Sequence, residues 1–294
     1  MKKIITTIIA ITTISPLFAT SKANIHTSNE IKKIEKEYGG KIGVYTINRN
    51  DWKNFSHNAS FYFPTCSTYK FLVVGAILKQ SMKNKELLSE KIKIVDNQIV
   101  GYSPITKKHS NKEMTIRQLC KASINNDNTA TNLLIHKLGG LKELRKFTLS
   151  LQDHATKVAD LAPKISKVDL TTNLNKTTPK IMARDINKLA FSNDVLDDRH
   201  QALFKKWLRE STSGDNRIAA EIPEDWTIGD KTGTCEYGTT NDVAIIWPDD
   251  SKPIAMSIFY TQPEKSAEPN SKVLRKVTEI LFDNLKLDDS SKDA

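Results

Sequence analysis

Lys41 to Asn48 alternates roughly between apolar and polar residues, the period of a half-buried strand. Arg49-Asn50-Asp51 then supplies turn chemistry before a second strand expected near Trp52 to Ser56. A charged helix over Asn29 to Tyr38 precedes them and stops at Gly39-Gly40. From Ser67 to Leu78 the chain is apolar nearly all round (Phe71, Leu72, Val73, Val74, Ala76, Ile77, Leu78), which predicts a central buried helix. Helical patterns return from Thr115 through Ala122, over Asn128 to Leu138 with Gly139-Gly140 as its stop, and at Ala183 to Ala190 and Arg199 to Leu208. Thr156 to Pro179 breaks this rhythm, with few apolar residues and two prolines. A long irregular segment inside a compact protein is usually a functional loop. Three strand-like runs (Trp226 to Thr232, Val243 to Trp247, Ile254 to Thr261) and a helix from Ser271 to Leu285 complete the pattern.

Strands at both ends with helices between imply an α+β fold. The terminal strands meet in one antiparallel sheet flanked by helices, and the middle helices build a second, all-helical lobe. The expected division is an α/β lobe of residues 24–66 and 209–294 and a helical lobe of residues 67–208, forming one domain from residue 24 to 294. The buried helix at Ser67 would sit where the lobes join, beside a cleft.

The 294 residues suffice for one substantial core, and 38% hydrophobic with 27% charged residues is ordinary globular composition. A net charge of +10 is carried by dispersed lysines with no nucleic-acid-reading motif beside them, so it reads as a solvated basic surface. Lys2 and Lys3, an apolar run from Ile4 to Phe18 and the small residues Ser21 and Ala23 describe a secretory signal peptide over residues 1–23. The mature chain is expected in the periplasm, without a membrane anchor, as a monomer. In that oxidising space Cys66, Cys120 and Cys235 suggest one disulfide and one free thiol, with Cys120 on a helix as a buried, inert thiol. Their wide spacing does not suit a metal site, and neither a metal nor a cofactor is expected.

Ser67-Thr68-Tyr69-Lys70 puts a serine and a lysine one helical turn apart at the start of the apolar helix. A lysine desolvated there has a lowered pKa and can take the serine proton; on these residues alone an N-cap serine with a snorkelling lysine explains the pattern as well. Lys231-Thr232-Gly233-Thr234 lies in a strand, where Gly233 would admit a close backbone approach. Asn126-Asp127-Asn128 feeds the apolar helix beginning Thr129-Ala130-Thr131-Asn132-Leu133-Leu134, and Asp127 or Asn128 could cap it.

In this order and spacing the three motifs resemble the signature set of class A β-lactamases, over about Tyr38 to Leu285. The resemblance implies Ser67 as nucleophile, Lys70 as its proton-transfer partner and the N–H groups of Ser67 and Thr234 as the oxyanion hole. It implies a β-lactam substrate bound by Tyr102, Asn128, Ser213, Arg217, Lys231, Thr232, Gly233 and Thr234. Cys66 and Cys235 match the cysteine pair that carbapenem-hydrolysing members join in a disulfide.

Five positions depart from the family pattern. Asn126 stands where the family has a proton-relaying serine, in a loop that looks one residue short. Ala162 stands where it has the water-activating glutamate, and Ser166 where it has an asparagine. Asp160 and Asn175 occupy the positions of the loop's usual arginine–aspartate brace, so that brace is expected to be missing. The expectation is a serine hydrolase that is acylated at Ser67 and released slowly. A trapping protein without turnover, an inactive envelope protein and, more distantly, a D,D-peptidase are the other readings.

Overall fold

The structure is a computed structural model and describes residues 22–290. Helix α1 (Lys22–Tyr38) leads into strand β1 (Lys41–Asn48) and the short strands β2 (Ser56–His57) and β3 (Phe63–Pro64). Next come α2 (Lys70–Ser81), β4 (Lys91–Lys93), α3 (Pro104–Lys108), β5 (Glu113–Thr115), α4 (Ile116–Ile124), α5 (Asn128–Leu138) and α6 (Leu141–Ser150). The chain finishes with β6 (Lys176–Thr177), α7 (Pro179–Phe191), α8 (Asp198–Arg209), β7 (Thr227–Cys235), β8 (Thr239–Trp247), β9 (Ile254–Thr261) and α9 (Ser271–Ser290). The signal peptide expected over residues 1–23 lies outside the described residues except for Lys22 and Ala23, which open α1.

The main sheet runs β2-β1-β9-β8-β7, antiparallel throughout, so strands from the two ends of the chain lie side by side as expected. β1 and β9 pair along their whole length, from Lys41 with Thr261 to Asn48 with Ile254. Side chains along a strand alternate between faces. Ile42, Val44, Ala244, Ile246, Met256 and Ile258 meet Ile31 and Ile34 of α1 and Val273, Leu274 and Val277 of α9. Tyr45, Ile47, Val243, Ile245, Ala255 and Phe259 face the other core, with Met182 and Ile186 of α7 and the apolar length of α2. Helices on both faces leave β1 buried at six consecutive positions, not half-buried as its alternation predicted. Thr46 accommodates this by accepting a hydrogen bond from Phe55 N at 3.1 Å.

α2 is buried from Lys70 to Leu78, as its all-round apolar surface requires. Its first residue is Lys70, not Ser67: residues 66–69 form a turn, closed by Lys70 N donating to Ser67 O at 3.2 Å. The strand expected near Trp52 to Ser56 shrinks to Ser56–His57. Asp51 captures the Lys53 amide at 3.0 Å and Trp52 adopts φ 58°, which bends this stretch into a turn. α3 and α6 were not anticipated; Pro104 opens the first and Gly140 precedes the second.

Candidate active site

The N-terminal turn of α2, strand β7 and the α4–α5 connection come together around Lys70, Asn126 and Lys231. Thr65, Cys66 and Thr68 press so close to Gly233 that a Cβ there would lie 3.0 Å from Thr65 O and 3.1 Å from Cys66 Cβ. The expected close approach at Gly233 is therefore present, and a Cβ there would make its neighbours give by a few tenths of an ångström. Cys66, at φ 47°, is joined to Cys235 with their Cα atoms 5.5 Å apart, which ties the turn to the end of β7. Cys120 is free and buried, and burial pushes its thiol up. Ser67 lies between Cys66 and the buried Thr68 and is itself partly exposed.

Lys70 is completely buried, and Nζ donates to Asn126 O at 2.9 Å and Asn128 Oδ1 at 2.7 Å. Loss of hydration lowers its pKa to about 7, against an opposing pull from the Asp127 carboxylate. Asp127 caps α5 through Ala130 N at 2.9 Å and also accepts from Ile105 N, Thr106 N and Thr106 Oγ1. One carboxylate thus locks α3 to α5. Asn128, the first residue of α5, is fixed at its backbone by Tyr102 O at 2.9 Å, while Tyr102 itself is 66% exposed. The tight connection before Asp127 is made by Asn126 at φ 68°, and it leaves Asn128 in contact with Lys70.

Lys231 is also wholly buried, donating to Asn126 Oδ1 at 2.5 Å and Thr232 O at 2.9 Å. Desolvation first, and then the charge of Lys70, hold its pKa well below the usual lysine range. Asn126 Nδ2 donates to Thr232 Oγ1 at 3.1 Å, and Thr232 Oγ1 donates to Ser213 Oγ at 2.9 Å. Arg217 reaches the same strand from the buried side, donating to Gly233 O at 3.0 Å, Asn241 O at 2.5 Å and Thr234 Oγ1 at 2.6 Å. Burial lowers its pKa, with Asp242 and Asp230 opposing. Lys70, Asn126, Asn128, Lys231, Thr232 and Ser213 thus form one hydrogen-bonded network, and Arg217 holds Gly233 and Thr234 of the same strand.

The irregular segment after Thr156 closes the cleft beside α5. Asn132 Nδ2 donates to Ala162 O at 2.7 Å, and Asn132 Oδ1 accepts from Ala162 N at 3.1 Å, so the Ala162 backbone is clamped at both ends. Ala162 is 5% exposed and forms a cis peptide with Pro163. Ser166 ends a short 3₁₀ turn and lies near β7, its oxygen facing Glu236 N at 3.5 Å. Asp160 and Asn175 still brace the loop: Asn175 Nδ2 donates to Asp160 Oδ2 at 2.8 Å, and Asn175 Oδ1 accepts from Ala159 N and Asp160 N. Lys164 adds an ion pair to Asp160 at 2.7 Å from a side chain 75% exposed. The motif pattern does not single out Asn132, although it stands four positions after Asn128 and therefore on the same face of α5.

Among the described residues no ion pair joins a carboxylate to Lys70 or Lys231, and no cluster of His, Cys, Asp and Glu is placed to hold a metal ion. No helix there is long and apolar enough to cross a membrane.

Two buried lysines thus share Asn126 beside the Ser67 turn of an α+β scaffold, and comparison with known proteins assigns the family. Residues 26–285 match the model of the beta-lactamase enzyme family. Beta-lactamase OXY-2 of Klebsiella oxytoca is 36% identical over 257 residues, covering 87% of this chain and 88% of that protein. The imipenem-hydrolyzing beta-lactamase of Enterobacter cloacae is 34% identical over 274 residues, covering 90% and 92%. The solved structure of a beta-lactamase from Francisella tularensis superposes with a TM-score of 0.86 at 45% identity, covering 88% of this chain and 98% of that one. A class A beta-lactamase from Mycobacterium abscessus gives a TM-score of 0.85 at 33% identity, covering 88% and 99%. The chain belongs to the class A β-lactamase family.

Proposed function

We propose that this protein opens the β-lactam amide with Ser67, forms an acyl-enzyme there, and hydrolyses that intermediate slowly. One observation carries the reading: Lys70 Nζ is buried beside the Ser67 turn and donates two hydrogen bonds, and its desolvation lowers its pKa to about 7. An amine that uses two N–H bonds on Asn126 and Asn128 keeps its lone pair for the Ser67 proton. As Ser67 Oγ attacks, the oxygen of the β-lactam carbonyl gains charge, and the N–H groups of Ser67 and Thr234 stabilise it. Lys231, Thr232, Thr234, Ser213 and Arg217 supply the charge and hydroxyls for the substrate carboxylate, with Gly233 keeping the strand close. Asn128 binds the side-chain amide of the substrate, and Tyr102 flanks the mouth.

Release is the weak step. The family resemblance puts a water-activating glutamate at the position of Ala162 and an asparagine at Ser166, and a methyl group cannot take a proton. The Asn132 clamp argues against a shifted loop that would bring in another base. Asp160 is engaged by Lys164 and Asn175, which lower its pKa. Loss of a general base costs about 10²–10⁴ in rate. The Cys66–Cys235 disulfide supports an extracytoplasmic, periplasmic location, where we read the chain as an exported monomer. The test mixes the purified protein with a chromogenic cephalosporin and follows product and intact mass together. One equivalent of product with a persistent adduct on Ser67 is expected. Sustained turnover overturns the slow-release reading, and absence of both product and adduct leaves an inert envelope protein.

A further inference from the structure

Arg49, just past β1, holds a charge that no acid neutralises. Its guanidinium carbon lies 4.9 Å from the centre of the Trp52 ring and 4.3 Å from that of Phe191. One of its five N–H bonds goes to Asn187 Oδ1 at 3.1 Å. Among the described residues no acceptor takes the others, and no carboxylate pairs with the charge. These side chains line a cavity of about 540 Å³ between the β1–β2 turn and the end of α7, within the size range of small-molecule sites. Its lining shares no residue with the network around Lys70, Asn126 and Lys231. We propose that this cavity binds a small organic carboxylate with a flat apolar body, the carboxylate on Arg49 and the body against Trp52.

Two aromatic rings stand where a counter-ion would. Their π faces attract the cation but leave its N–H groups unsatisfied. Those groups can donate in parallel to both oxygens of one carboxylate, a fit that an ammonium lacks. Asn187 spends Oδ1 on Arg49, which leaves its Nδ2 as a further donor on the same wall. Trp52 supplies apolar surface: it is 59% exposed and set at φ 58° in a turn that Asp51 fixes by accepting from Lys53 N at 3.0 Å. Arg49 itself is half-buried, so an anion there meets less competing water than on an open surface.

The charges around the cavity select a monoanion. Arg49 and Lys188 are the basic residues of its wall and Asp194 the acidic one, a surplus of one positive charge. Lys188 donates to Leu151 O and is already engaged, so Arg49 is the open cation. Beyond the wall, Lys205 of α8 lies 5.2 Å from the centre of the Phe191 ring, with Asp198 as its acid neighbour. A carboxylate matches that surplus, whereas the second charge of a phosphate dianion would face Asp194 without a partner.

The experiment titrates benzoate into ¹⁵N-labelled protein and follows the indole N–H resonance of Trp52, assigned with Trp52→Phe. Benzyl alcohol, with the same ring and no charge, is the control. Benzoate is expected to shift the Trp52 signal saturably. Benzyl alcohol on the wild type, and benzoate on Arg49→Gln, are expected to bind about tenfold or more weakly, the worth of a charge-assisted pair. A Trp52 signal that benzoate leaves unmoved, equal titration by benzyl alcohol, or undiminished binding to a folded Arg49→Gln protein overturns the proposal. The contrast between the two probes is read on the wild type and stands whether or not the variant folds. Shifts confined to the Lys231–Thr234 strand would put the carboxylate in the Ser67 site alone and refute the second site.

Discussion

Replacing Ala162 by glutamate tests where the chemistry stops. α5 carries Asn128, 2.7 Å from Lys70 Nζ, and four residues on Asn132, which grips the Ala162 backbone at 2.7 and 3.1 Å. Four residues of helix advance about 6 Å, and that rise is taken as the separation between a carboxylate at position 162 and Lys70 Nζ. Two consequences follow. The new base should shorten the life of the acyl-enzyme by about 10²-fold, the lower end of the range for a general base, because Ser166 holds a water less firmly than the asparagine the family pattern expects there. The new charge should also stabilise the Lys70 ammonium. At about 6 Å and an effective dielectric of about 20 the interaction is about 3 kcal/mol, which lifts the Lys70 pKa from about 7 by about two units. Intact-mass measurement of adduct decay gives the first quantity, and ¹³Cε titration of Lys70 gives the second. A folded Ala162→Glu protein whose adduct decays at the wild-type rate would show that the missing base is not what limits release.

In the wild-type protein the amine form of Lys70 is the active one, so acylation should fall about tenfold per unit below pH 7 and level off above it; stopped-flow rates that stay flat from pH 5 to 8 would rule this out. Asn132→Ala leaves the part-buried N–H and C=O of Ala162 without their partners, at about 1–3 kcal/mol each. Denaturant melts should register the loss, and hydrogen exchange over residues 159–167 should quicken. Cys235→Ser removes a cross-link across 169 residues and should lower stability by about 2–4 kcal/mol in urea titration. Both thiols labelling freely in the unreduced, denatured wild type would show that the bond is not made.

Much of the scaffold was legible because its apolar runs are bounded by turn residues. The apolar run from Ile254 to Thr261 matches β9, and the pattern from Asn128 to Leu138 matches α5, where Gly139 turns left-handed at φ 102°. The first half of β8 was not readable. Thr239, Thr240, Asn241 and Asp242 are polar, and only their tertiary setting buries them: Asn241 O receives Arg217, and Asn241 Nδ2 reaches Pro64 O at 2.8 Å. Ser67 was placed inside the helix because a 3₁₀-like turn and the first turn of an α-helix share one spacing of polar and apolar positions. In the cleft, the residue types of the Ser67, Asn126 and Lys231 motifs announced the chemistry. Their wiring did not show, because Lys70 is held by the backbone oxygen of Asn126, an atom every residue carries. The clamp on Ala162 likewise depends on a loop returning thirty residues after Asn132.

The central claim is that Ser67 is well placed to be acylated and poorly served afterwards. Its most direct test is the lifetime of the adduct. The protein is loaded with one equivalent of a cephalosporin, freed of excess ligand, and followed by intact mass at pH 7. A Ser67 adduct formed within the mixing period and persisting for many minutes is the predicted result. An adduct that never accumulates while the cephalosporin is steadily consumed would contradict it.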